Sequence, residues 1–323
     1  MTYPLLNRID ILLPIEDLLQ IVVRDYRLGR VLDFLYFEKG YEDLNVKLVT
    51  ASGIYVVKIF NINRSYGRPQ YYVKGLVEFT KINVRVPKLF EHNGEYLYST
   101  PGKKTNTFLC VMEYFEGNNF TEIKATENDL INICKFIALI NTCKFPVVQG
   151  YDSWGTANLV TEFKKKKQFI EPEDIELILP VLKDFSKIDF SSFSQSVIHG
   201  DVQRAHVLKN AQGKYCIIDL GCMNVDASIL DLAIFLAHFT IDIESLDEVN
   251  QLMRLIVHEY NKVHPLPEIE LKCLPLLMQS TYAIYLIASS AQITGKNNPS
   301  AESLDWQTFG RKGLLKMKKF NTI

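Results

Sequence analysis

A mixed α+β fold is what this sequence predicts, and three observations carry the expectation. Three strand-like stretches crowd into residues 31–60, and helix-period stretches dominate from residue 130 onward. Hydrophobic residues make up 47% of the chain, enough for a sizeable core. A length of 323 residues accommodates two lobes or two modest domains.

Residues 15–27 place Leu18, Leu19, Val22, Val23 and Tyr26 at helical spacing soon after Pro14. Residues 31–37 and 44–50 alternate like strands, with Gly40 near the turn between them. Ala51-Ser52-Gly53 then turns the chain into a third strand, 54–60, which contains Lys58. Residues 71–82 read as a helix. Residues 108–114 form a buried strand that runs into Phe115-Glu116-Gly117. Over 130–140, Ile133, Cys134, Ile137 and Ala138 share one stripe, which Asn141 ends ahead of Pro146. A helix over 173–184 has Pro172 near its start. Apolar helices follow from Asp231, over 246–260 and over 274–291, and a last one carries Trp306, Gly310 and Gly313.

Composition excludes several classes. Lys and Arg total 36 against 37 acids, so net charge gives no reason to expect nucleic acid. The run Lys164-Lys165-Lys166-Lys167 reads as a solvated helix surface, since four in a row cannot face one partner. The six cysteines, at 110, 134, 143, 216, 222 and 273, show no C-x-x-C spacing. They read as reduced core residues of a cytoplasmic protein. Residues 1–17 lack the apolar run of a signal peptide, and the most apolar stretch, 282–291, is too short to span a bilayer.

The most informative stretch is His199-Gly200-Asp201-Val202-Gln203-Arg204-Ala205-His206, followed by Ile217-Ile218-Asp219-Leu220-Gly221. It sets one acid on a tight loop after an apolar strand and a second acid eighteen residues later, at the end of another. Two carboxylates so spaced match the catalytic and metal loops of kinases. An ordinary hairpin from Val197 to Asp219 with a polar mouth is the plain alternative.

With Gly after His, this loop resembles that of the aminoglycoside phosphotransferases, choline kinases and related small-molecule kinases. The resemblance implies a protein-kinase-like fold: a small β-rich N-lobe over residues 1–114 and a larger helical C-lobe over 115–323. It implies that Asp201 orients the acceptor's hydroxyl proton, that His199 braces the loop, and that Asp219 holds Mg²⁺ against the phosphates of ATP. Lys58, in Val56-Val57-Lys58-Ile59, resembles the strand-three Lys that contacts phosphates; a surface Lys is the alternative. Gly40 and Asn45 would form a thin phosphate loop in which the acids at 42 and 43 must turn away. Glu113 and Tyr114 would read adenine through their main chains, and Asp231 would stabilise the catalytic loop.

Departures from the family pattern are equally specific. His206 stands where most relatives carry a metal-binding Asn, as it does in macrolide phosphotransferases; imidazole tolerates Mg²⁺ and suits Mn²⁺ better. Lys74 occupies the place expected for the helix Glu that pairs with the strand-three Lys. Glu78, one turn on, is the provisional partner of Lys58, with a solvent-facing role as the alternative. The expected function is ATP-dependent phosphorylation of a hydroxyl on a small molecule: an amino alcohol, a sugar, an amino acid or an antibiotic. A nucleotide-binding module with little transfer activity is the second reading. A protein kinase is disfavoured by Gly200 and by the lack of an A-P-E segment.

Overall fold

The computed structural model describes residues 4–38, 40, 42–64, 67–146 and 149–320. The chain divides into two compact units, residues 1–117 with 210–218, and residues 118–209 with 219–323.

The first unit contains α1 (Ile15–Asp25), β1 (Val31–Tyr36), β2 (Leu44–Thr50), β3 (Gly53–Ile59), α2 (Gly67–Lys81), β4 (Tyr98–Pro101) and β5 (Asn106–Glu113). Its strands form one sheet in the order β1-β2-β3-β5-β4. β2 alternates buried and half-buried positions along its length, as a strand with one covered face must. The cover is α1, whose apolar face of Ile15, Leu18, Leu19, Val22 and Val23 joins Leu44, Val46, Leu48, Val57 and Ile59 in one core. Antiparallel register sets Asn45 opposite Lys58, Lys58 opposite Cys110, and Tyr55 opposite Glu113.

The second unit opens with β6 (Asn118–Asn119) and α3 (Glu127–Ile140), which Thr126 and Asp129 start with a reciprocal capping box. It continues through α4 (Leu159–Lys166), α5 (Pro172–Phe185), β7 (Gln195–Ile198) and β8 (Val207–Lys209). The chain then returns to the first unit as β9 (Tyr215–Ile217), where the Ile217 N–H donates to Arg85 O at 2.9 Å. Residues 210–218 thus pack with the first unit, unlike the single division after residue 114 that the sequence suggested. β10 (Asn224–Ala227), α6 (Ile229–Thr240), α7 (Leu246–Asn261), α8 (Glu268–Leu271), α9 (Leu274–Ser290) and α10 (Ala301–Phe320) complete the second unit.

β7 pairs with β10, Ile198 opposite Asn224, and not with the strand that leads into Asp219. The simple hairpin from Val197 to Asp219 is therefore replaced by two separate ladders.

α9 is buried from Leu277 to its end at Ser290, with α4, α5, α6 and α10 around it. α10 lies almost against its backbone, because a Cβ at Gly310 would sit 2.6 Å from Tyr282 O and one at Gly313 would enter the Tyr282 ring. Among the described residues no helix is long and apolar enough to cross a membrane. In the basic run, Lys164, Lys165 and Lys167 are exposed, while Lys166 folds back onto buried Glu162 at 2.6 Å.

Candidate active site

In the second unit, the loop after β7 is fixed from behind. Asp231, in the first turn of α6, is fully buried and accepts the N–H groups of His199 and Gly200, each at 2.8 Å. Asn141, which ends α3, donates to the same carboxylate at 3.0 Å and to Val197 O at 3.0 Å. Burial pushes the Asp231 carboxyl up to about 6 despite these donors. Gly200 adopts φ +81°, and a Cβ there would meet Cys222 O at 2.5 Å, so the sharp turn requires glycine. The Asp201 N–H donates to Nδ1 of buried His199 at 3.2 Å.

Asp201, His206 and Asp219 come together. His206 Nδ1 lies 2.9 Å from Asp201 O and 3.2 Å from Asp201 Oδ2, and its Nε2 lies 3.9 Å from Asp219 Oδ2. Burial works against the charge of both Asp201 and His206, yet each is the other's counter-ion. The carboxyl of Asp201 is held down at about 2 and the imidazole of His206 up at about 9. Gln203 Nε2 reaches both Asp201 oxygens, at 3.2 and 3.1 Å, and the Tyr285 hydroxyl donates to Oδ1 at 2.8 Å. Asp219 sits in the left-handed region at φ +61°, which Asp tolerates better than most residues, and accepts the Gly221 N–H at 3.3 Å.

Among the described residues no group of three His, Cys, Asp or Glu side chains is arranged to hold a metal ion. His206 Nε2 and Asp219 Oδ2 nevertheless face each other, and Mg²⁺ commonly takes one or two protein ligands, the rest being water and phosphate oxygens. The donor set fits an ion that arrives with a nucleotide.

In the first unit, Lys58 points inward from β3, and its partner is Asp43. Nζ lies 2.9 Å from Oδ2, with both side chains almost wholly buried. Arg64 donates to both Asp43 oxygens, from Nε at 2.6 Å and from Nη2 at 2.9 Å, and the Asn61 N–H adds a fourth bond at 3.1 Å. Burial opposes the charge on Asp43, and the two cations outweigh it and keep the carboxyl below its usual range. The Lys58 ammonium also sits 4.9 Å from the Tyr72 ring centroid.

Glu78 is not the partner of Lys58. It stands on the outer side of α2, paired with Lys81 at 3.0 Å and Lys74 at 3.7 Å. Helical spacing alone aimed it at the strand, while the sheet already supplied a nearer carboxylate. Gly40 takes φ +97° and its carbonyl accepts Arg8 Nη1 at 2.7 Å; Tyr41 in that turn lies outside the described residues. Asn45 holds its ladder place opposite Lys58. The Glu113 main-chain N–H, expected to read adenine, instead donates to Lys88 O at 2.8 Å, and its carboxylate takes Arg85 at 2.6 Å. Tyr114 follows β5 with its ring 4.3 Å from the Lys47 ammonium.

Asp43, Arg64, Gln203 and Tyr285 escaped the sequence reading. For Asp43 a signal existed: an acid just before a strand whose second residue falls opposite Lys58. For Tyr285 none did, because one more aromatic on a largely apolar helix reads as core.

The model of the phosphotransferase enzyme family (APH) matches residues 33–255. Among solved structures, an amicoumacin kinase in complex with AMP-PNP, Ca²⁺ and Ami aligns over 92% of this chain and 93% of its own, with TM-score 0.68 and 14% identity. A microcompartment-associated aminopropanol kinase aligns over 95% and 97%, with TM-score 0.67 and 13% identity. The choline kinase of Streptococcus pneumoniae aligns over 93% and 99%, with TM-score 0.61 and 15% identity. At such identities the likeness is one of fold, and that fold is the kinase-like α+β one. The matched span covers the Lys58 strand, the Asp201 loop, Asp219 and Asp231, and the chain belongs to the phosphotransferase enzyme family.

Proposed function

We propose that this protein is an ATP-dependent kinase that phosphorylates a hydroxyl group of a small molecule, drawn from amino alcohols, sugars, amino acids and antibiotics of the aminoglycoside or macrolide kind. The observation that carries the reading is Asp201: a carboxylate kept ionised, on a loop whose backbone is tied at two N–H groups by Asp231. An aligned carboxylate next to a second acid is what hydroxyl phosphorylation asks of a protein.

In this reading Asp201 accepts the proton of the acceptor's hydroxyl while that oxygen bonds to the γ-phosphorus and the bond to ADP breaks. Asp219 and His206 would hold a Mg²⁺ or Mn²⁺ ion, which when bound neutralises phosphate charge. Lys58, clamped by Asp43, supplies a fixed cation for the phosphates. Tyr114, at the end of β5, presents its main chain to the adenine, a role Glu113 shares through its carbonyl alone. The amicoumacin kinase that shares the fold was captured with an ATP analogue and a divalent cation, which supports this choice of donor.

The test is ADP formation from Mg-ATP and, separately, Mn-ATP against pools of choline, 1-amino-2-propanol, hexoses, homoserine, kanamycin and erythromycin. Turnover with one pool, lost in Asp201→Asn, supports the reading. ATP binding without turnover in any pool, or undiminished turnover in Asp201→Asn, removes it.

A further inference from the structure

Asp201 carries two oxygens, and a base that takes a proton from one acceptor must present one of them in a fixed direction. Its contacts differ in how well they can do this. Gln203 reaches both oxygens at nearly equal distances, so it does not choose between them. His206 divides its Nδ1 between Asp201 O and Oδ2, and the Oδ2 contact is the longer. Tyr285 touches Oδ1 alone, at 2.8 Å.

Tyr285 is also packed on several sides by other rings. It stands on α9, which is buried from Leu277 to Ser290. Its ring meets four others edge-on: Trp306 at 5.0 Å, His238 at 5.2 Å, Phe309 at 5.3 Å and Trp154 at 5.6 Å between centroids. Trp306 and Phe309 come from α10, which Gly310 and Gly313 allow to press onto α9. One turn earlier, the Tyr282 hydroxyl makes a separate bond, to Ala237 O on α6 at 2.7 Å.

We propose that Tyr285 is a positioning residue for phosphoryl transfer: its hydroxyl locks Oδ1 of Asp201, which leaves Oδ2 to take the acceptor's proton. The proposal rests on Asp201 being the base. Burial, with the nearby Asp201 charge, holds the phenol far above its ordinary range, so it acts as a donor throughout the working pH. The 3.1–3.2 Å contacts to Oδ2 are long for a charged acceptor and yield to the shorter bond an acceptor O–H makes.

Tyr285→Phe keeps the ring and removes the hydroxyl. Tyr282→Phe is the matched control, losing a buried phenol bond on the same helix away from Asp201. Steady-state kinetics would use the acceptor found in the panel, and single-turnover ATP hydrolysis at high enzyme would use water as the acceptor. Tyr285→Phe is expected to lower kcat roughly ten- to hundredfold, the weight of one hydrogen bond to a charged group, with KM for ATP unchanged. Tyr282→Phe is expected to lower Tm and leave kcat within about twofold. Wild-type kcat in Tyr285→Phe, or equal losses of kcat in both variants, overturns the proposal while an inactive Asp201→Asn keeps the base assignment standing. Full turnover in Asp201→Asn, or a wild type silent with every acceptor and with water, removes the base assignment and this proposal together.

Discussion

Lys58 and Asp43 form a buried ion pair, Nζ to Oδ2 at 2.9 Å, between a strand and the residue that precedes its neighbouring strand. The carboxylate comes from the sheet's own turn, where the family pattern would bring one from the following helix. The pair itself is supplied by the register of β2 and β3, and α2 adds the Tyr72 ring beside the ammonium.

Asp43→Asn should therefore leave Lys58 and Arg64 as buried cations without their shared acceptor. The expected cost is about 3–5 kcal/mol of stability, and ATP affinity should fall about tenfold or more. Glu78→Gln, on the outer side of α2, should change stability by less than about 0.5 kcal/mol and leave ATP binding intact. Urea titration and calorimetric ATP binding on the two variants check this, and a larger effect in Glu78→Gln would refute it.

Gly200→Ala places a Cβ 2.5 Å from Cys222 O at a residue with φ +81°. The loop must shift to relieve the clash, and Asp201 shifts with it. Turnover should drop at least about a hundredfold if Asp201 is the proposed base, since its sub-ångström alignment is lost. Circular dichroism should still show a folded protein at 25 °C. Unchanged kcat would mean that the turn tolerates a side chain.

Asp231→Ala removes the acceptor for two backbone N–H groups and the Asn141 amide at once. With three buried donors left unsatisfied, the loss should be roughly 3–5 kcal/mol by denaturant titration. A loss under about 1 kcal/mol would show that the loop is held elsewhere.

The Asp201–His206 pair gives a pH signature in metal-free protein. His206 is raised to about 9, so its contribution is fully present below 6.5 and is lost as pH rises through 9. Asp201 is lowered to about 2, so its contribution is present above 3.8 and is lost as pH falls through 2. Between pH 6.5 and 9, in EDTA, wild type should lose about 2–3 kcal/mol relative to His206→Asn. Melting curves of both proteins across that range decide the matter; parallel pH profiles would count against the pair.

The sequence showed the parts of this fold that depend on near neighbours. β1 and β2 announced themselves by alternation, β3 by its apolar run after a glycine turn, α3 by its stripe and its end at Asn141. The Asp201 loop was visible because a glycine turn and an apolar strand lie within a few residues of the acid. Asp43 as partner of Lys58 was signalled only through the hairpin register that sets Asn45 opposite Lys58, and helical spacing argued for Glu78 instead. The engagement of the Glu113 N–H by Lys88 depends on a segment folding beside β5 from twenty-five residues away. Tyr285 was hidden by its surroundings: α9 is buried on every side from Leu277 onward, and such a helix gives no periodic hint of which residue reaches a polar group.

The close seating of α10 on α9 has a consequence for biosynthesis. Asp201 precedes Tyr285 by 84 residues, and the two glycines that let the last helix clamp α9 emerge later still. A nascent chain on the ribosome thus carries Asp201, with Gln203, His206 and Asp231 already made, well before the residue whose hydroxyl meets its Oδ1 emerges.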